Sequence, residues 1–365
     1  MIDKSEIAKA LSKVTDPGSG KDLVTAMLVS DLSVDGNNVN ITLELPDASG
    51  NYKSDLSFAV MQTIQEVYPS AEVNVHTISR TPQATQETPE VLPQVRNIIA
   101  VASGKGGVGK STVSVNLALA LKRTGARVGI MDADLYGPSM PTMLGLQGQR
   151  PKVEQVGGQP KIIPLQAYGM PVISIGFIIE PEQAVVLRGP RLSSIIKQFV
   201  NDCVWPELDY LVVDLPPGTG DIQLTLVQTV PLTGVVMVTT PQEVAVVDAV
   251  KAMNMFFLPQ VNVPILGVVE NMSWFTPAEL PENKYYLFGQ GGGQKLARMA
   301  NSVLLGQIPL VQGVREGGDT GKPIILEDAG NPAVDALTAA ARELTRQVSL
   351  RHQTMGPTMR TRMDT

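Results

Sequence analysis

Beyond residue 97 one pattern recurs: a short, almost wholly apolar run rich in β-branched residues, then a longer stretch with helical spacing. NIIAVAS (97–103), ARVGIMD (126–132), DYLVVD (209–214), GVVMVTT (234–240), PILGVVE (264–270) and VLLGQI (303–308) are the apolar runs. Polar residues do not alternate through them, as expected for strands covered on both faces. STVSVNLALALKRT (111–124) and PQEVAVVDAVKAMNMF (241–256) carry the helical period. The alternation predicts an α/β fold over 97–350, a doubly wound and mostly parallel sheet. Ligands in such sheets bind at the carboxyl ends of the strands.

Residues 1–78 read differently. KSEIAKALSKV (4–14) has helical spacing and is stopped by the turn Asp16-Pro17-Gly18. MLVSDLSVDG (27–36) and NVNITLEL (38–45) alternate as strands around Gly36-Asn37-Asn38. YKSDLSFAVMQTIQEVY (52–68) is helical again, and AEVNVHTI (71–78) alternates. The order α-β-β-α-β predicts a small α+β domain. Residues 79–96, rich in Pro, Thr and Gln with no apolar period, read as a linker, and 351–365 as a flexible tail.

Composition narrows the function classes. The net charge of −6 argues against a nucleic-acid partner, which requires basic surface to neutralise phosphates. No apolar run reaches the length of a membrane span, and MIDKSEIAKALSKV lacks the apolar core of a signal peptide. A cytoplasmic protein without membrane partner is expected. One cysteine (Cys203) and two histidines (His76, His352) exclude an intrachain disulfide and a Cys/His zinc site of the usual kind.

The chemistry concentrates at GKGGVGKST, 104–112. Gly104, four residues, then Gly109-Lys110-Ser111 is the phosphate-loop spacing, and it follows a predicted strand and opens a predicted helix. Gly104, Gly106, Gly107 and Gly109, with Val108 between them, let successive backbone N–H groups turn toward phosphates; Thr112 continues into the helix. Lys110 is expected to hold the β- and γ-phosphates and Ser111 to ligate Mg²⁺. A glycine-rich strand-to-helix turn without ligand is the alternative. Two strand ends add carboxylates. Asp214 closes DYLVVD, where it would support the Mg²⁺ shell; Asp134, just beyond ARVGIMD and Asp132, would position the attacking water.

With its second lysine, Lys105, the loop resembles the deviant Walker A motif of the MinD/ParA/nitrogenase-iron-protein class. That resemblance implies a homodimer in which Lys105 crosses to the partner's ATP and acts catalytically there. It also implies that Asn271 and Pro309 contact adenine. Further stretches resemble the Mrp/ApbC family of iron–sulfur cluster carrier ATPases: DADLYGPSMP (132–141), LRGPRLSSIIKQFV (187–200), WPELDYLVVDLPPGTGD (205–221), ENMSWF (270–275), LFGQGGGQKLA (287–297) and GQIPL (306–310). The resemblance spans residues 95–345, and the N-terminal unit resembles the small domain often fused to this family. It implies ATP hydrolysis serving cluster assembly or transfer, with client apoproteins or assembly proteins as partners. The alternative is a nucleotide-switched positioning or scaffold ATPase of the MinD/ParA kind.

One departure bears on the cofactors. Most members of the family carry a Cys-x-x-Cys pair after ENMS, and two such pairs hold a 4Fe-4S cluster between protomers. Here the segment reads ENMSWFTPAELPENKYYLFGQGGG (270–293), with Thr276, Pro277 and Glu279 but no cysteine, and the small domain's LELPDASGNYKSDL (43–56) has none either. Cys203, in VNDCVWP, reads as a buried core residue on a helical stretch. Three possibilities stay open: Cys203 acting with external thiols or His76, ligands from a partner protein, or an ATPase that docks clients without binding a cluster. GQGGGQKLA (289–297) reads as a helix start rather than a second phosphate loop, and Arg188 and Arg191 flank a Gly-Pro turn.

Overall fold

The computed structural model describes residues 2–16, 21–26, 28–46, 50–80, 91–134, 137–178, 189–277, 279–280, 282–328 and 330–355. The chain folds as two compact units, 1–88 and 89–365.

The first unit contains α1 (Lys4–Leu11), β1 (Val29–Asp35), β2 (Asn38–Pro46), α2 (Gly50–Val67) and β3 (Glu72–Arg80). Its sheet has β2 in the centre, antiparallel to β1 and parallel to β3. Gly36 makes the β1–β2 turn at φ +62°, the left-handed region that glycine enters without Cβ strain. Every second residue of β2 (Val39, Ile41, Leu43, Leu45) is buried against Ile7 and Leu11 of α1 and Leu56, Val60 and Ile64 of α2. Helix α1 ends at Leu11, short of the expected turn at Asp16. The Ser12 hydroxyl donates back to the carbonyls of Ala8 and Lys9, which competes with helix continuation. Pro17 and Gly18 lie outside the described residues.

The second unit runs β4 (Ile98–Ser103), α3 (Lys110–Arg123), β5 (Val128–Asp132), α4 (Met140–Met143), β6 (Lys152–Val156), β7 (Gln159–Ile163), β8 (Leu165–Ala167), β9 (Met170–Ser174), α5 (Gly189–Asn201), β10 (Tyr210–Asp214), α6 (Asp221–Thr229), β11 (Gly234–Thr239), α7 (Glu243–Phe256), β12 (Ile265–Phe275), α8 (Gly292–Met299), β13 (Leu304–Leu310), α9 (Gln312–Thr320) and α10 (Pro332–Thr354). The sheet order is β13-β12-β11-β4-β10-β5-β9-β8. All its pairings are parallel except β8–β9. Strands β4, β5, β10 and β11 are buried along their whole length, as their unbroken apolar runs predict. The chain passes from β4 outward by way of β5 on one side and β11 on the other. The crevice of a doubly wound sheet therefore opens over the carboxyl end of β4.

Four strands escape the sequence pattern. β8 and β9 form a tight hairpin through Tyr168 and Gly169, both left-handed; β8 has three residues and β9 contains Pro171. β6 and β7 form a separate exposed ribbon around Gly157-Gly158. Three boundaries also move. Strand β3 reaches Arg80, and Val91, Leu92 and Val95 are buried in the second unit's core, so both ends of the expected linker 79–96 belong to the folded units; 81–90 lie outside the described residues. Helix α10 continues past 350 to Thr354, with Arg351 buried and His352 Nε2 2.7 Å from Asn97 Oδ1, so the helix ends beside the amino end of β4. The tail expected from 351 thus begins as helix, and 356–365 lie outside the described residues. Gly189 and Pro190 open α5 rather than forming a free turn, since proline suits the first helical turn; Arg188 lies outside the described residues.

Candidate functional site

The N-terminus of α3 meets the carboxyl ends of β4, β5 and β10. Gly107 (φ +82°) and Gly109 (φ +84°) bend the loop through conformations that a Cβ would strain. A Cβ on Gly104 would fall on the backbone of Asp248 and Ala249 in α7, so only glycine lets the loop lie against that helix. Gly109 precedes α3 and offers no side-chain cap, which leaves the first amides of the helix turned toward the loop.

Inside this loop Lys110 is buried between two carboxylates. Its Nζ lies 2.8 Å from Asp214 Oδ2 and 3.1 Å from Asp134 Oδ2. Ser111 Oγ donates to Asp214 Oδ2 at 2.5 Å, and Ser114 Oγ, one turn further along α3, donates to Asp214 Oδ1 at 2.6 Å. Burial pulls the lysine's pKa down, but Asp214 and Asp134 outweigh it and the net shift is upward, so Lys110 stays charged. Asp132, paired across the sheet with Asp214, is fully buried; it accepts from Ser174 Oγ at 2.7 Å and from the Asp134 amide at 3.0 Å. Burial, reinforced by the Asp214 charge, pushes its pKa up to about 7. Lys105 is half-buried, its carbonyl accepts from Ser103 Oγ, and its ammonium has no partner among the described residues.

A cavity of about 950 Å³ opens beside Gly109 and Thr112. One wall is Asn271 and Met272 of β12, Pro309 and Leu310 of β13, and Val314 and Arg315 of α9; the other is Pro138, Thr142, Arg150 and Phe177. The Asn271 Nδ2 donates to the Val108 carbonyl at 2.9 Å, which leaves the amide oxygen and the second Nδ2 hydrogen for a ligand. A Cβ on Gly109 would collide with that same amide, so loop and asparagine are fitted to each other.

The structure thus brings Lys110, Ser111, Asp134 and Asp214 into one buried cluster and puts Asn271 and Pro309 on one cavity wall. Ser114, Asp132 with Ser174, Met272 and Arg315 were not singled out as site residues by the sequence. Ser114 carried a signal: three residues after Ser111, it shares that helix face. Arg315 carried none, because its place in the wall depends on how α9 packs. Glu270 was also missed; it is buried, accepts from the Gly293 amide at the start of α8 (2.6 Å) and from Gln307 Nε2 (2.7 Å), and so fixes the loop ahead of that helix. That loop enters a helix, as expected.

The donors for Mg²⁺ fit: a hydroxyl and a carboxylate oxygen in contact, both hard ligands, at the mouth of the loop. The donors for an iron–sulfur cluster do not. Cys203 lies just past α5 rather than on a helix, in a bridge to Ile162, and is 7% exposed. Burial, aided by the Asp202 charge, pushes its thiol up to about 12, which disfavours the thiolate form that binds iron. Among the described residues no three His, Cys, Asp or Glu side chains are grouped to hold a metal ion, and no helix is long and apolar enough to cross a membrane.

Comparison with known proteins bears on this geometry. Residues 94–345 match a family described as NUBPL iron-transfer P-loop NTPase, and residues 4–76 one described as iron-sulfur cluster assembly protein. An iron-sulfur cluster carrier protein of Synechocystis is 43% identical over 351 residues, 96% of this chain and 99% of the relative. One from Deinococcus radiodurans is 44% identical over 345 residues, 94% of this chain and 95% of the relative. Among solved structures, a nucleotide-binding protein from Archaeoglobus fulgidus in complex with ADP is 36% identical with a TM-score of 0.55, covering 64% of this chain and 90% of that one. The cell division ATPase MinD of Pyrococcus furiosus, at 22% identity and a TM-score of 0.50 over 69% of this chain and 99% of that one, shares the fold.

Proposed function

The chain belongs to the NUBPL iron-transfer P-loop NTPase family, of the Mrp/ApbC cluster-carrier type, and on that footing we propose that it hydrolyses Mg-ATP to drive iron–sulfur cluster assembly or transfer to client apoproteins. The observation that carries the nucleotide half is the buried cluster around Lys110. One ammonium shared by Asp214 and Asp134 is a resting state in which a single cation serves two buried carboxylates. To reach the β- and γ-phosphates Lys110 must leave both carboxylates, and a buried carboxylate stripped of its cation is strongly unfavourable. Ser111 and Asp214 would hold Mg²⁺ at that point; bound there, the ion neutralises charge on the phosphates. Asp134, released by Lys110, then orients the attacking water, its carboxylate accepting a proton from it. The loop amides from Gly104 to Thr112 cradle the phosphates.

The base side follows from Asn271. With one Nδ2 hydrogen given to Val108, the side chain keeps its oxygen and a second N–H, and the oxygen accepts the exocyclic amine of adenine. Pro309 packs against the ring. Lys105 has no partner within its own chain among the described residues, which supports a role in a homodimer, reaching the nucleotide of the second copy and stabilising charge only in the closed state. We place the protein in the cytoplasm, with ATP and iron–sulfur proteins as its partners. Titration calorimetry tests the reading: Mg-ATP binds, and removing Lys110 abolishes the heat. Absence of heat with Mg-ATP overturns it.

A further inference from the structure

Asp214, the carboxylate expected to support Mg²⁺, is fully buried, so its neighbours decide which of its oxygens an ion can reach. Its backbone is pinned on both sides: its carbonyl accepts from the Ala133 amide at 3.0 Å, and the next amide, that of Leu215, donates to Val101 at 3.0 Å. The carboxylate then divides its donors by oxygen. Oδ2 meets Ser111 Oγ at 2.5 Å and Lys110 Nζ at 2.8 Å, whereas Oδ1 meets Ser114 Oγ at 2.6 Å. Ser114 is itself fully buried, one turn beyond Lys110 in α3, so helix geometry holds its hydroxyl in place. The Lys110 carbonyl lies 3.0 Å from the same hydroxyl. A hydroxyl has one hydrogen, and the shorter contact to a charged acceptor takes it. When Lys110 moves to the phosphates, Oδ2 loses its ammonium while Oδ1 stays occupied.

We propose that Ser114 is a positioning residue that sets the ion selectivity of this site: by holding Oδ1 it confines Asp214 to one free oxygen, and so favours Mg²⁺ over Ca²⁺. The inference rests on the Mg-nucleotide reading above. Mg²⁺ demands near-ideal octahedral geometry, and the two oxygens of one carboxylate subtend far less than the right angle between octahedral neighbours. Ca²⁺ tolerates irregular geometry, takes more oxygens and accepts a carboxylate through both. Ser111 offers a hard hydroxyl to either ion, so it does not discriminate. The discrimination lies in the second oxygen of Asp214, which Ser114 withholds. Without Ser114 the carboxylate is free to turn; that serves Ca²⁺ and loosens the single oxygen on which Mg²⁺ depends.

Calorimetry on the full chain tests it, with ATP titrated in the presence of either Mg²⁺ or Ca²⁺. Wild type is expected to bind Mg-ATP about tenfold or more tighter than Ca-ATP. Ser114→Ala weakens Mg-ATP about tenfold, the lower end of the effect of removing a group that orients a metal ligand, and leaves Ca-ATP within about threefold. The preference for Mg²⁺ therefore falls or disappears. A serine that only packs the helix would lower both affinities together; that outcome overturns the inference, and so does an unchanged ratio. Ser114→Cys keeps the side chain's shape with only a weak S–H donor and is expected to lose the preference as well. It carries the test if the alanine variant shows no folding transition. Equal binding of both complexes by wild type overturns the selectivity while leaving the nucleotide reading intact. No heat from wild type with either ion overturns that reading, and this inference with it.

Discussion

Gly109 stands where the phosphate loop, the start of α3 and Asn271 meet, at φ +84° with no room for a Cβ beside the asparagine amide. Gly109→Ala is therefore expected to weaken ATP binding by about tenfold or more, since strain of about 1–3 kcal/mol falls directly on the loop; calorimetry reads it. The two lysines divide the work differently. Lys110→Ala abolishes tight binding, whereas Lys105→Ala keeps binding and loses turnover by about a hundredfold or more, the scale of a charge supplied only in the transition state; binding and phosphate release measured on the same samples check this. Cys203 gives a third expectation. With its thiol moved from 9.0 to about 12, alkylation by iodoacetamide at pH 8 is suppressed about a thousandfold relative to the unfolded chain, because only the thiolate reacts. The identity of the loop residues was legible because glycines and lysine at fixed spacing can do little else. The resting contact of Lys110 was not, because it depends on two strand ends, about 80 residues apart in the chain, that only the sheet order brings together.

Helix α6 follows the loop after Asp214, and its Gln223, 1% exposed, finds no hydrogen-bond partner for either amide atom among the described residues. An unpaired buried amide destabilises by about 1–3 kcal/mol, and an apolar group of similar shape removes that penalty. Gln223→Met is accordingly expected to raise the denaturant midpoint with an unchanged slope. The same logic of elements explains what the sequence concealed. Buried parallel strands announce themselves as unbroken apolar runs, so β4, β5, β10 and β11 were legible. β8 and β9 were not: three residues are too few for a period, and Pro171 reads as a breaker although β9 tolerates it near its end. The Gly157-Gly158 pair between β6 and β7 is a hairpin signal that the pattern did contain. Cys203 was placed correctly inside and wrongly on a helix, because α5 stops at Asn201 and the next residues turn to pair with Ile162.

At the scale of the whole molecule, two separate apolar cores hold two units, one around β2 and one around the large sheet. Damage to one core is expected to spare the other. Leu43→Ala, which empties a buried position of β2, costs the small unit about 2–5 kcal/mol and leaves Mg-ATP affinity intact. In a calorimetric scan saturating ATP raises the transition of the large unit alone, by about 2.7 kcal/mol at a hundredfold excess over Kd. A single transition that shifts as one would contradict both. The position of α10 has a practical sequel. Because His352 meets Asn97 at the amino end of β4, the chain leaves that helix on the side of the sheet away from the phosphate loop. A fluorophore attached at residue 355, an exposed position, sits on that side, so labelling there leaves the nucleotide mouth uncovered.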